Sequence, residues 1–114
     1  MEILNIPRGF GKTTNIIARS IETGYPIIVN NEMEKRRIKR VAESTFRRDI
    51  TVFTIEEFRD NDVWGYLGKP KKVLIDELPS VLRFLLESDC EMATMTSESL
   101  HDYDIKKIEK RLGN

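Results

Sequence analysis

Residues Asn5–Asn15 read NIPRGFGKTTN. Ahead of the glycines, Ile3-Leu4-Asn5-Ile6 predicts a short strand. Behind them, the spacing of Ile16, Ile17, Ser20 and Ile21 predicts a helix from Lys12 to Thr23, stopped by Gly24. The turn between is suited to an anion. Gly9 and Gly11 can take the backbone conformations that aim successive N–H groups at one centre. The helix start adds unpaired amides and the positive end of its dipole. Lys12 adds a full charge, and Thr13 a hydroxyl suited to a magnesium ion. The ordinary alternative is a glycine-rich turn that merely leads into a helix.

The usual phosphate-loop pattern has a glycine where this chain has Ile6. That change alters the approach to the turn but removes no donor, because every non-proline residue keeps its N–H. Pro7 lacks one, yet it lies at the end away from the phosphate-facing amides. Phosphate binding is therefore expected to survive the substitution.

Working outward, apolar runs and helical stretches alternate. YPIIVN reads as a second strand, ended by Asn30 and Asn31, either of which can cap a helix from about Glu32 to Arg47. ITVFT is a third strand, followed by a short helix around 55–59. The stretch 59–72, rich in Gly, Asp and Pro, reads as a loop. VLID is a fourth strand, its unbroken apolar run typical of burial on both faces. A helix over 79–87, a possible fifth strand EMATMT and a last helix over 98–112 complete the pattern. Strands separated by helices predict one α/β domain over residues 1–114. It is a three-layer αβα arrangement with a mostly parallel sheet of about five strands. Ligands of such sheets bind beyond the carboxyl ends of the strands.

The segment KVLIDEL supplies a second motif at such an end. Asp76 closes the fourth strand and can hold the water shell of magnesium. Glu77 can polarise a water for attack on a phosphate. The alternative is an acidic pair that caps the helix starting near Pro79.

Composition narrows the chemistry. Nineteen basic and nineteen acidic side chains balance in 114 residues, so binding to a polyanion needs a local patch. Cys90 and His101 are single, which argues against a disulfide framework and against a cysteine- or histidine-built metal centre. No apolar run approaches the roughly 20 residues of a membrane span, and MEILNIPRGF lacks the build of a signal peptide. A soluble cytoplasmic protein without membrane contact is expected.

With PRGFGKTT and VLIDE the chain resembles the phosphate-loop NTPases, and more narrowly the branch with an additional strand and a catalytic glutamate. Helicases, AAA-type ATPases and phage packaging ATPases belong to it. PRGFGKTT is most similar to the Walker A variant of large terminase subunits. The resemblance implies ATP as substrate with Mg2+, bound along Arg8, Gly9, Phe10, Gly11, Lys12, Thr13 and Thr14. It implies Thr13 and Asp76 as metal-side residues and Glu77, Lys12 and Arg8 as catalytic, Arg8 acting as an arginine finger in cis. MATMTSES is similar to a Ser/Thr-rich coupling segment, which gives Thr96 or Ser97 a phosphate-sensing role. The implied activity is slow ATP hydrolysis coupled to phage DNA processing or packaging, in the host cytoplasm, with a protein partner or further copies of the chain. Two other readings stand beside it: a nucleotide-dependent binding module without turnover, and a small nucleoside or nucleotide kinase. The lone cysteine and short chain count against the kinase.

The helix from Glu32 carries Lys35, Arg36, Arg37, Lys39, Arg40 and Arg47, with Arg48 beyond. Ile38, Val41, Ala42, Thr45 and Phe46 project to one side, and Arg36, Arg40 and Arg47 fall opposite. This is either a solvated face paired with Glu32, Glu34 and Glu43 or a DNA-binding patch over Lys35–Arg48. Trp64 and Tyr66 read as a loop plug against the sheet, with base stacking as the alternative. Met92 and Met95 read as core filler. Arg83 reads as a surface arginine, with a finger toward a neighbouring subunit as the alternative.

Overall fold

The computed structural model describes residues 1–7, 9–60, 64 and 68–96. Its centre is strand β1, Ile27–Val29, buried at all three positions. Side chains alternate across a strand, so such a run must be covered on both faces. Ile27 and Val29 meet Ile17 of helix α1 (Lys12–Thr23) and Ile38 of helix α2 (Glu32–Val41) on one face. Ala42, Ile50 and Val52 complete that core. On the other face Ile28 packs with Ile55 of helix α3 (Ile55–Arg59) and Val81 of helix α4 (Leu78–Leu86).

Strands β2 (Val52–Thr54) and β3 (Leu74–Ile75) flank β1, both parallel to it, in the order β2-β1-β3. Ile28 stands opposite Phe53 on one side and Ile75 on the other. Parallel neighbours need helical crossovers, which the alternation of apolar strands with amphipathic helices supplies. Asn31 caps α2 by accepting from the amide of Glu34 at 2.9 Å, and Gly24 ends α1 in a left-handed conformation. A π-helical turn over Ala42–Phe46 prolongs α2, so the basic helix reaches its expected end.

Among the described residues the sheet has three strands, fewer than the roughly five expected. Ile3–Ile6 forms no ladder, and Ile3 and Leu4 are half exposed. Asn5 breaks the apolar run and Pro7 has no N–H to donate, so the segment has little with which to hold a sheet edge. EMATMT is also irregular, with Met92 exposed and Met95 half exposed, both outside either core. No apolar burial there offsets the cost of ordering a strand. The helix expected over 98–112 lies outside the described residues.

Candidate functional site

Beyond the carboxyl ends of β1 and β3 opens a cleft of about 680 Å³. Gly9, Gly11, Lys12, Thr13 and Thr14 form one wall, Asn30 and Asn31 follow β1, and Asp76, Glu77 and Ser80 follow β3. Glu34 and Arg37 of α2 close it. Two motifs separated by more than sixty residues in sequence thus share one cavity.

The turn owes its shape to its glycines. Gly9 and Gly11 have φ of +85° and +82°, a region that side chains disfavour. The amide of Phe10 donates to the carbonyl of Pro7 at 3.3 Å. Asn15 caps the turn from the helix side, its side-chain nitrogen donating to the carbonyl of Gly11 at 2.8 Å. Helix α1 has neither a side-chain N-cap bond nor an acidic residue in its first turn. Its first amides have no intrahelical acceptors.

The charged groups form a pair, Lys12 with Glu77, and a cluster of Arg37 with Asp76 and Glu34. The ammonium of Lys12 donates to Glu77 Oε1. Glu77 holds φ 59° and ψ 66°. Of the described non-glycine residues with positive φ, Arg47 and Glu87 end helices, where that conformation is usual, whereas Glu77 precedes one. Strain of this kind costs on the order of 1–3 kcal/mol and gathers at functional sites. Asp76 is 3% exposed. Arg37 donates to its Oδ2 at 3.3 Å and to Thr13 Oγ1 at 3.2 Å. It holds Glu34 Oε2 more closely, at 2.8 and 3.0 Å. Burial pushes the Asp76 carboxyl above its ordinary range; the charges of Arg37 and Lys12 pull it back, and Glu34 raises it further.

Lys12, Thr13, Asp76 and Glu77 therefore line one cleft. Phe10 is 70% exposed and does not line the cleft, so only its backbone belongs to the turn. Thr96 sits in an exposed irregular stretch and is not among the lining residues, so the sensing role has no geometric basis. Arg8, Ser97 and Tyr66 lie outside the described residues.

Sequence reading missed Arg37 and Glu34 as site residues. Their signal was present: Glu34, Arg37, Ile38 and Val41 follow the i, i+3, i+4, i+7 spacing of one helical face. Elsewhere on the helix, Lys35 pairs with Glu57 at 2.9 Å, Arg36 with Glu32 at 3.9 Å and Lys39 with Asp49 at 3.5 Å. Much of the basic stretch is thereby neutralised. Trp64 acts as a plug, packing edge-on against Phe53 and Phe58 and donating its indole N–H to the carbonyl of Phe58 at 3.0 Å. Arg83 is exposed and pairs with Asp89 at 2.6 Å.

No described helix is long and apolar enough to cross a membrane. Among the described residues no group of three or more His, Cys, Asp or Glu side chains converges to hold a metal. An ion held by Thr13 and Asp76 would take its other ligands from water or from a bound anion. Magnesium characteristically accepts such a set, and both donors already converge on a cation, the Arg37 guanidinium. Comparison with known proteins finds no matching family model, no similar curated protein and no similar solved structure.

Proposed function

We propose that the cleft binds a nucleoside triphosphate, ATP in the first instance, with magnesium, and hydrolyses it slowly. The observation that carries this reading is the meeting of Lys12, Thr13, Asp76 and Glu77 in one cleft beside an uncapped helix start. The amides of Gly9–Thr14 would bind phosphate oxygens. Magnesium, when bound, supplies charge neutralisation at those oxygens. The Lys12–Glu77 pair then has a mechanistic meaning. A polyanion draws Lys12 away from Glu77, and the freed carboxylate can accept a proton from water. The pair is more than a third exposed on both sides, so parting it costs less than about 1 kcal/mol.

A module that binds nucleotide without turnover is the second reading. It is favoured by the engagement of both carboxylates, Asp76 by Arg37 and Glu77 by Lys12. The resemblance of PRGFGKTT and VLIDE to packaging ATPases extends the proposal to phage DNA processing, beside a protein partner or further copies of this chain.

Thermal shift with ATP, GTP and their diphosphates, with and without magnesium, tests binding. A ligand at 100 times its Kd should add about 2.7 kcal/mol of stability. The absence of any shift would remove the nucleotide reading. Steady-state phosphate release by wild type and Glu77→Gln then separates the two versions. Loss of turnover in the variant, with binding retained, supports hydrolysis; equal inertness of both supports the binding module.

A further inference from the structure

Arg37 stands where a cation shared by Thr13 and Asp76 would stand. A carboxylate as buried as Asp76 needs a positive partner, and the guanidinium supplies it at 3.3 Å. Magnesium would be held by the same two side chains. Both cations cannot occupy that position, and their like charges repel. Lys12 is turned to Glu77, so Arg37 is the cation that bridges Asp76 and Thr13.

The contacts also indicate how Arg37 can give way. Its two bonds to Glu34 are shorter than those to Thr13 and Asp76. Glu34 lies one turn back on the same helix, three residues away. Arg37 can therefore leave Asp76 while keeping its closest partner. On leaving, it remains a charge at the cleft wall, within the cavity that holds Lys12.

We propose that Arg37 is a built-in competitor for the divalent cation, occupying Thr13 and Asp76 until metal displaces it and leaves it held by Glu34 at the cleft wall. The inference deepens the triphosphate reading and rests on it for the identity of the ligand. It predicts that metal alone binds weakly, because it must expel a guanidinium.

Two measurements test it, on wild type, Arg37→Gln and Arg37→Lys. In the first, binding of a fluorescent ATP analogue is titrated with magnesium. Arg37→Gln should reach half-saturation at about tenfold lower magnesium, the order expected when one like charge leaves a partly exposed site. Arg37→Lys keeps the charge, but a point donor cannot span Glu34, Thr13 and Asp76 together. It should shift in the same direction by less, whereas a mere long-range field would leave it at the wild-type value. In the second, manganese binding without nucleotide is read by electron paramagnetic resonance, and Arg37→Gln should bind more tightly than wild type. If Arg37→Gln fails to fold, Arg37→Lys carries both tests. Unchanged metal dependence in both variants, with nucleotide binding intact, overturns the competitor role and leaves the triphosphate reading standing. Tighter manganese binding in a protein that ignores every triphosphate does the reverse.

Discussion

At Asp76 the demands of folding and of the proposed chemistry conflict. The carboxyl is 3% exposed, and burial raises its pKa above the ordinary value of 3.8. The folded chain therefore holds this proton more tightly than the unfolded one. The sign follows from linkage: the fold is favoured at pH below 3.8 and loses that advantage as pH rises through the raised value. Asp76→Asn removes the slope while leaving an oxygen for Arg37. In metal-free buffer the variant should gain in melting temperature over wild type as pH rises from 4 to 7. A gain that does not vary with pH would show that Asp76 titrates as it does in the unfolded chain. Asp76 was legible from sequence because a carboxylate ending an apolar run is conspicuous. Its partner was not: Arg37 is one of seven basic residues between Lys35 and Arg48, and only the position of the facing strand end distinguishes it from Arg36.

Among the elements, α3 shows how a five-residue helix survives. Isolated helices of that length are unstable in water. Here Thr54 accepts from the amide of Glu57 at 3.1 Å, and Glu57 accepts from the amide of Thr54 at 3.0 Å, forming a capping box. Lys35 of α2 then reaches both oxygens of Glu57 at 2.9 and 3.0 Å, tying the two helices together. The Thr54 amide, followed by Lys35, holds the Glu57 carboxyl below its ordinary value of 4.5. This group acts with the opposite sign to Asp76. Its stabilisation is present above pH 4.5 and is lost as pH falls through the lowered value. Thr54→Ala should cost about 1 kcal/mol in urea denaturation at pH 7, and Glu57→Gln should flatten the acid limb of the stability curve. An unaltered acid limb would assign the loss to other carboxylates. Helices of this kind are readable because caps, glycine stops and 3.6-residue spacing are local. The outer strands were harder, since an apolar run such as Ile3–Ile6 forms a strand only where a sheet edge receives it.

For the whole molecule, that difference decides where stability resides. The two cores meet on β1, so a residue touching β1 is held from several elements at once, whereas Ile3–Ile6 is held by no ladder. Sequence alone cannot separate the cases, because Leu4 and Ile38 are both apolar residues in apolar patterns; the helix bearing Ile38 has a strand to cover. Ile38 is fully buried and Leu4 is 48% exposed. Ile38→Ala should therefore cost about 2–5 kcal/mol, through lost transfer energy and the cavity left behind. Against a total of roughly 5–15 kcal/mol this is a large share. Leu4→Ala should stay within about 0.5 kcal/mol, as exposed substitutions do. Urea denaturation of both variants at pH 7 checks the pair. A cost above about 2 kcal/mol for Leu4→Ala would mean that the opening segment packs as a sheet strand after all, and would restore the fourth strand ahead of the glycine turn.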